Sequence, residues 1–218
     1  MDNLNEYRKL HQDIYQCDLC KQHGYEVHRV QPEWDENKKP TSIEKWAVIV
    51  GQAPGITEYE TGKFNIERKK ESDAIPFSGK AGDQLRKWFE EEDIDYRPIF
   101  KNSLKTALTK CYPGKYKSGD RKPTRKEIKF CEQFLVRQIE LTHPKFIILF
   151  GKQAINWFFP KEEWINTIGE IRRWKDCEVI CLPHPSPLNT IINTEYVKQM
   201  ISESIKLINQ KFNEHGME

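Results

Sequence analysis

The stretch TRKEIKFCEQFLVRQIELTHPKFIILFGKQA, residues 124–154, contains a helix, its start signal, its stop signal and the strand that follows. Thr124 with Glu127 three residues later forms a capping box, in which hydroxyl and carboxylate each satisfy a backbone N–H of the first turn. Ile128, Cys131, Leu135 and Ile139 then recur at helical spacing on one face. His143-Pro144 ends the helix, because the residue before proline is driven out of the α region. KFIILFG (145–151) follows at once as an unbroken apolar run stopped by glycine, the pattern of a strand buried on both faces. A capped helix feeding directly into a buried strand is one half of a parallel crossover, so the chain reads as α/β.

Three other segments repeat the buried-strand pattern: WAVIVG (46–51), KTALTKC (105–111) and CEVICLP (177–183). Amphipathic stretches surround them. SGKAGDQLRKWFEEE (78–92) has Ser78 as its expected cap, and NTEYVKQMISESIKLINQKF (193–212) carries Met200, Ile201, Ile205 and Ile208 at helical spacing. The expected architecture is a three-layer α/β/α sandwich around a central, mostly parallel four-stranded sheet. No repeat, low-complexity tract or linker interrupts residues 1–218, which read as one domain and as a monomer.

Net charge is only +2, so attraction to a polyanion must come from local patches such as IERKK (66–70) and KYKSGDRKPTRK (115–126). No apolar run is long enough to span a membrane, and MDNLNEYRKL lacks the features of a signal peptide. The expected compartment is the cytoplasm. There the six cysteines are read as metal ligands, cluster ligands or core packing rather than disulfides.

Function in such sheets gathers where strands end. Three strand-end segments are chemical in character: GQAPG (51–55), KCYPG (110–114) and PHPSPLN (183–189). His184 stands in a proline-stiffened loop off a buried strand, placed to donate to an anion. Cys17 and Cys20 in C-x2-C spacing, with Cys111 at a strand end and Cys131 on the next helix, make a four-thiolate set. Spacing alone leaves zinc and iron–sulfur both open. Cys177 and Cys181 share one strand face and are read as core.

Taken in order, GQAPG (51–55), PFSGKAGDQL (76–85), TALTKCYPG (106–114), the 124–154 unit and PHPSPLN (183–189), with QCDLC (16–20) upstream, resemble the uracil-DNA glycosylase superfamily, most closely its iron–sulfur family 4 branch. The resemblance implies a monofunctional DNA glycosylase that hydrolyses the N-glycosidic bond of a flipped-out uracil or modified pyrimidine in DNA repair. It also implies a 4Fe-4S cluster on Cys17, Cys20, Cys111 and Cys131, two of them supplied by the N-terminal 1–45 segment. His184 then donates to the departing base, aided by the Gln52-Ala53 turn, and Phe77 is the stacking wall. Ser186 and the Ser78-Gly79-Lys80 turn hold phosphates, and Leu188 is the wedge.

This chain departs from the family pattern at three places, one of them a longer loop over 56–75 between GQAPG and PF. Gln52 stands where family 4 carries Glu, which leaves Glu58 as the candidate carboxylate for the water and Asp83 behind it. Ala107 stands where the family reads uracil with Asn, so the pocket is expected to have spare volume and to accept larger bases. Two alternatives accompany the glycosylase reading: an antiviral defence glycosylase acting on a bulky hypermodified base, and an inactive iron–sulfur DNA-binding module.

Overall fold

Thr124 caps its helix as the pattern dictates: its Oγ1 accepts from Glu127 N at 3.2 Å, and Glu127 Oε2 accepts from Thr124 N at 2.7 Å. The protein is described from a computed structural model that covers residues 3–30, 43–60, 79–117 and 119–215. In chain order its elements are α1 (Asn3–Gln16), α2 (Leu19–Gln22), β1 (His28–Arg29), β2 (Ala47–Gly51), α3 (Ile56–Glu60), α4 (Lys80–Glu90), α5 (Arg97–Lys101), β3 (Ser103–Ala107), β4 (Cys111–Tyr112), β5 (Lys115–Tyr116), β6 (Gly119–Asp120), α6 (Arg125–Thr142), β7 (Phe146–Phe150), α7 (Lys152–Phe158), β8 (Ile171–Trp174), β9 (Cys177–Leu182) and α8 (Glu195–Glu214). His143 closes α6 in the left-handed region at φ 44°, just before Pro144.

The central sheet runs β3-β2-β7-β9-β8. Its first four strands are parallel, as expected, but a fifth pairs antiparallel at the edge, Ile171 opposite Ile180 and Trp174 opposite Cys177. The sequence IRRW carries no continuous apolar run, because an edge strand buries only part of its surface. The strand expected over 105–111 ends at Ala107. Cys111-Tyr112 then pairs separately with His28-Arg29.

Strand residues divide by parity. Ile49, Phe146, Ile148, Phe150, Ile180 and Leu182 face Leu85, Trp88 and Phe89 of α4 and Ile201 and Ile205 of α8. Val48, Val50, Ile147, Leu149, Val179 and Cys181 face Leu135 and Ile139 of α6 and Ala154 and Ile155 of α7. This alternation produces the three layers, and it confirms Cys177 and Cys181 as core residues, both buried on the α6/α7 side. Helix α4 begins at Lys80 with Gly79 at its N-cap and no side-chain cap, which corrects the placement of the cap at Ser78. Residues 61–78, including Phe77, Ser78 and IERKK, lie outside the described residues.

The segment 113–123 is tied down by Arg121. Its guanidinium bonds both carboxylate oxygens of Glu127, at 2.8 and 2.7 Å, and its Nε donates to Pro113 O at 2.9 Å. Arg121 is therefore committed to the scaffold, not to phosphate. Glu127 is only 1% exposed. Burial pushes its carboxyl up, but the bonds from Arg121 and Thr124 outweigh that and hold it below the ordinary carboxylate range. A depressed pKa contributes stability at neutral pH that is lost as pH falls through the folded-state value. Arg121→Ala should cost about 3 kcal/mol by stranding a buried carboxylate, lowering the thermal midpoint at pH 7 by roughly 6–12 °C. The gap to wild type should narrow as pH falls through the depressed folded-state value of Glu127, below the ordinary carboxylate range.

Candidate functional site

Parallel register brings the C-terminal ends of β2, β3, β7 and β9 into one line: Gly51 pairs Ala107, Val50 pairs Leu149, and Phe150 pairs Leu182. The turns that follow are bonded to one another. Leu108 N donates to Gly51 O at 3.0 Å and Thr109 N to Gln52 O at 3.3 Å. Gln52 and Ala53 are half-buried at the exit of β2, so their amides lie at the sheet's open end.

His184 lies across the end of β7. A Cβ on Gly151, whose φ is +89°, would meet His184 Cβ at 3.0 Å and Cδ2 at 3.4 Å, so this glycine is needed both for its backbone angle and for the approach of the ring. The loop after the ring is held internally: Asn189 Nδ2 donates to His184 O at 3.0 Å and Leu188 N to Ser186 Oγ at 3.3 Å. Burial, helped by Lys122 and opposed by Asp120, lowers the imidazole to about 4. At neutral pH the ring is uncharged, with one N–H to donate.

Two carboxylates converge on Gly55, where an added Cβ would lie 2.9 Å from Glu58 Oε2 and 3.1 Å from Asp120 Oδ2. Glu58 is buried, and its Oε2 accepts from Gly55 N at 2.9 Å, so it braces the turn. Asp120 is exposed. Its Oδ2 accepts from Ile56 N at 3.2 Å and its Oδ1 from Tyr112 OH at 3.0 Å. Sequence reading passed over Asp120 as one acid in a lysine-rich loop; a lone carboxylate among so many cations was the available signal. Asp83 instead pairs with Arg86 on the solvent side of α4. Gly79 approaches Thr57 closely enough that an added Cβ would lie 3.0 Å from its Oγ1, which sets the N-terminus of α4 and the exposed Lys80 beside α3.

Ala107 is fully buried in a cluster with Val30 and Tyr112, with Ile56 packed against them.

Cys17, Cys20, Cys111 and Cys131 line a single pocket together with Lys110 and Arg29. Helix α1 ends at Gln16 and α2 starts at Leu19, so Cys17 sits at the break between them and Cys20 in the turn of α2. The pairing of Arg29 with Cys111 brings the third, and α6 supplies the fourth. Burial raises the Cys20 and Cys111 thiols to about 12, and the neighbouring cysteines push them in the same direction. Clustered thiols whose ionisation is opposed in this way could serve as the donors of a cationic centre, whose positive charge would remove the penalty. Among the described residues, no His, Cys, Asp or Glu side chains close up into the cage of a single bound ion.

A buried polar chain backs the pocket. Lys110 Nζ donates to Thr106 Oγ1 and to Ala107 O, each at 2.6 Å, Thr106 donates to Gln138 Oε1 at 2.8 Å, and Gln138 meets His11 at 3.4 Å. This chain links β3, α6 and α1.

The sequence profile of the uracil DNA glycosylase superfamily matches residues 41–204. The chain is 25% identical over 218 residues to a type-4 uracil-DNA glycosylase of Sulfurisphaera tokodaii, covering 96% of this chain and 85% of that one. It is 30% identical over 146 residues to a type-4 uracil-DNA glycosylase of Pyrobaculum aerophilum, covering 67% and 61%. A third, from Saccharolobus solfataricus, is 28% identical over 174 residues, covering 79% and 67%.

The thiol pocket makes a measurable prediction. In protein prepared without oxygen, Cys17, Cys20, Cys111 and Cys131 should resist alkylation as a group and become reactive together once bound metal is stripped by a chelator. Mass-spectrometric mapping that finds all four modified in the untreated protein would contradict a shared centre.

Proposed function

The chain belongs to the uracil-DNA glycosylase superfamily, on its type-4 branch, and from that premise we propose that it hydrolyses the N-glycosidic bond of a uracil extruded from DNA, leaving an abasic site. The observation that carries this reading is the placement of a neutral His184 and two carboxylates around the strand-end turns.

The C1′–N1 bond breaks with its electron pair leaving on the base, so negative charge collects at the base oxygens and positive charge on the sugar. His184 donates its N–H to the oxygen beside the broken bond, and the amides of the Gln52-Ala53 turn add to it. A neutral imidazole suits this role, because it strengthens its bond as charge develops without having to lose a proton. Asp120 is open to solvent while its backbone and tyrosine donors fix its orientation. We assign it the facing side of the sugar, where it balances the developing charge and takes a proton from the attacking water. Glu58 keeps the turn in shape from behind. With water as the nucleophile the enzyme is monofunctional, and residues 1–218 act as one domain.

Phosphates flanking the extruded nucleotide are assigned to the Gly79-Lys80 helix start and to Ser186, whose hydroxyl hydrogen is available while its oxygen accepts from Leu188 N. Phe77 remains the proposed stacking wall. Cys17, Cys20, Cys111 and Cys131 suit a 4Fe-4S cluster better than zinc, since a cluster holds its four sulfurs farther apart than a single ion does. When bound, the cluster supplies Fe–S bonds that fasten α1, α2 and β4 to α6.

Single-turnover excision from a uracil oligonucleotide, read by alkaline cleavage of the abasic product, tests the assignment. His184→Ala should lower the rate by about 10²–10³-fold. Asp120→Asn should lower it by about 10²-fold or more, and Glu58→Gln by less. Since His184 ionises only near 4, the rate should show no loss attributable to this histidine between pH 8 and 6. Wild-type protein that releases no uracil from single- or double-stranded DNA would overturn the proposal.

A further inference from the structure

The hairpin β5–β6 pairs Lys115 with Asp120 and Tyr116 with Gly119. Cross-strand partners share a face, so Asp120 stands on one side of the hairpin and Tyr116 and Gly119 on the other. Asp120's side meets Ile56 and Tyr112 at the site. On the opposite side Leu188 approaches, its Cδ1 3.9 Å from the Cβ position of Gly119. Tyr116 and Leu188 thus flank the same glycine from two different loops. Both are solvent-exposed to a degree uncommon for large apolar side chains, at 63% and 78%.

Tyr116 covering a hairpin glycine would account for its position, but such a ring normally loses most of its exposure in doing so. Lys117 Nζ sits 5.4 Å from the ring centroid, and Lys115 and Lys122 are exposed nearby in sequence. An apolar pair with a lysine at its edge is suited to a surface that presents phosphates outside and stacked bases within.

We propose that Tyr116 is a second wedge, stacking on the base left unpaired opposite the extruded nucleotide while Leu188 fills the vacated position in its own strand. This rests on the glycosylase reading for its partner, duplex DNA, but not on the chemistry of excision. Lys117 then serves a flanking phosphate, and the hairpin couples its two faces: one grips the opened duplex while the other presents Asp120.

The test uses the full chain with its bound metal and two duplexes. In the first, 2-aminopurine faces an uncleavable tetrahydrofuran abasic analogue, and its fluorescence reports stacking without any reaction. Wild type and Tyr116→Phe should quench the probe on binding, and Tyr116→Ala should not. In the second, uracil excision by Tyr116→Ala should slow about tenfold on duplex and by no more than about twofold on single strand, the size of one stacking contact. Tyr116→Phe should restore the duplex rate. Undiminished quenching by Tyr116→Ala, an unchanged duplex rate, or equal losses on both strands would overturn the proposal. Wild type that releases no uracil yet shows Tyr116-dependent quenching would refute the glycosylase reading and leave the wedge standing.

Discussion

The site exists because β2 is paired in parallel on both sides. All five residues of AVIVG are buried, and β3 and β7 match them in phase, so the strands end together. Parallel strands cannot be joined by tight turns; each needs a crossover, and the crossover helices supply the two outer layers. The C-terminal ends are thereby left uncovered, and the chain emerging from each must turn at the same edge. Gly51-Gln52-Ala53, Leu108-Thr109, Gly151 and His184 are neighbours for this reason, although they are distant in sequence.

The irregular segments around that edge are stabilised by polar chemistry more than by hydrophobic burial. Arg121 holds 113–123 to the start of α6 through Glu127, and the Lys110-Thr106-Gln138-His11 chain holds α1 against β3 and α6. The four thiols gather at a third point, where α1, α2, β4 and α6 meet. Each is costly unless complete: an unpaired Glu127 or four mutually opposed thiols would be a liability in the interior. Scaffold and site are coupled through these ties, because the cysteine at the start of β4 and the tyrosine that orients Asp120 are adjacent residues.

Charge is distributed asymmetrically in the basic loop. Arg121 faces inward and is fully engaged, while Lys115 and Lys117 point to solvent and Asp120 turns back toward the strand ends. A loop that reads as uniform positive charge is thus divided into a structural cation, solvent-facing cations and one carboxylate.

Local pattern determined most of the architecture. The capping box at Thr124 and Glu127, the His143-Pro144 stop, the four buried apolar runs and the ordered motifs each depend on residues a few positions apart, so they were legible in the sequence, as was the family. The edge strand Ile171–Trp174 was not, because its one-sided burial leaves no apolar signature. Nor was the start of α4 at Lys80, where glycine caps without a side chain. In the site, His184 and the four cysteines were legible as candidates by residue type and spacing. The surroundings of Asp120 and Ala107 were not, because each follows from a partner distant in the chain: Ile56 beyond the first strand, and Val30 from the N-terminal segment. Sequence determined which residues could pair, cap or ligate over short range. Tertiary structure decided which charge is buried, which is exposed and which turns toward the strand ends, since those depend on the environment that distant segments bring to each side chain.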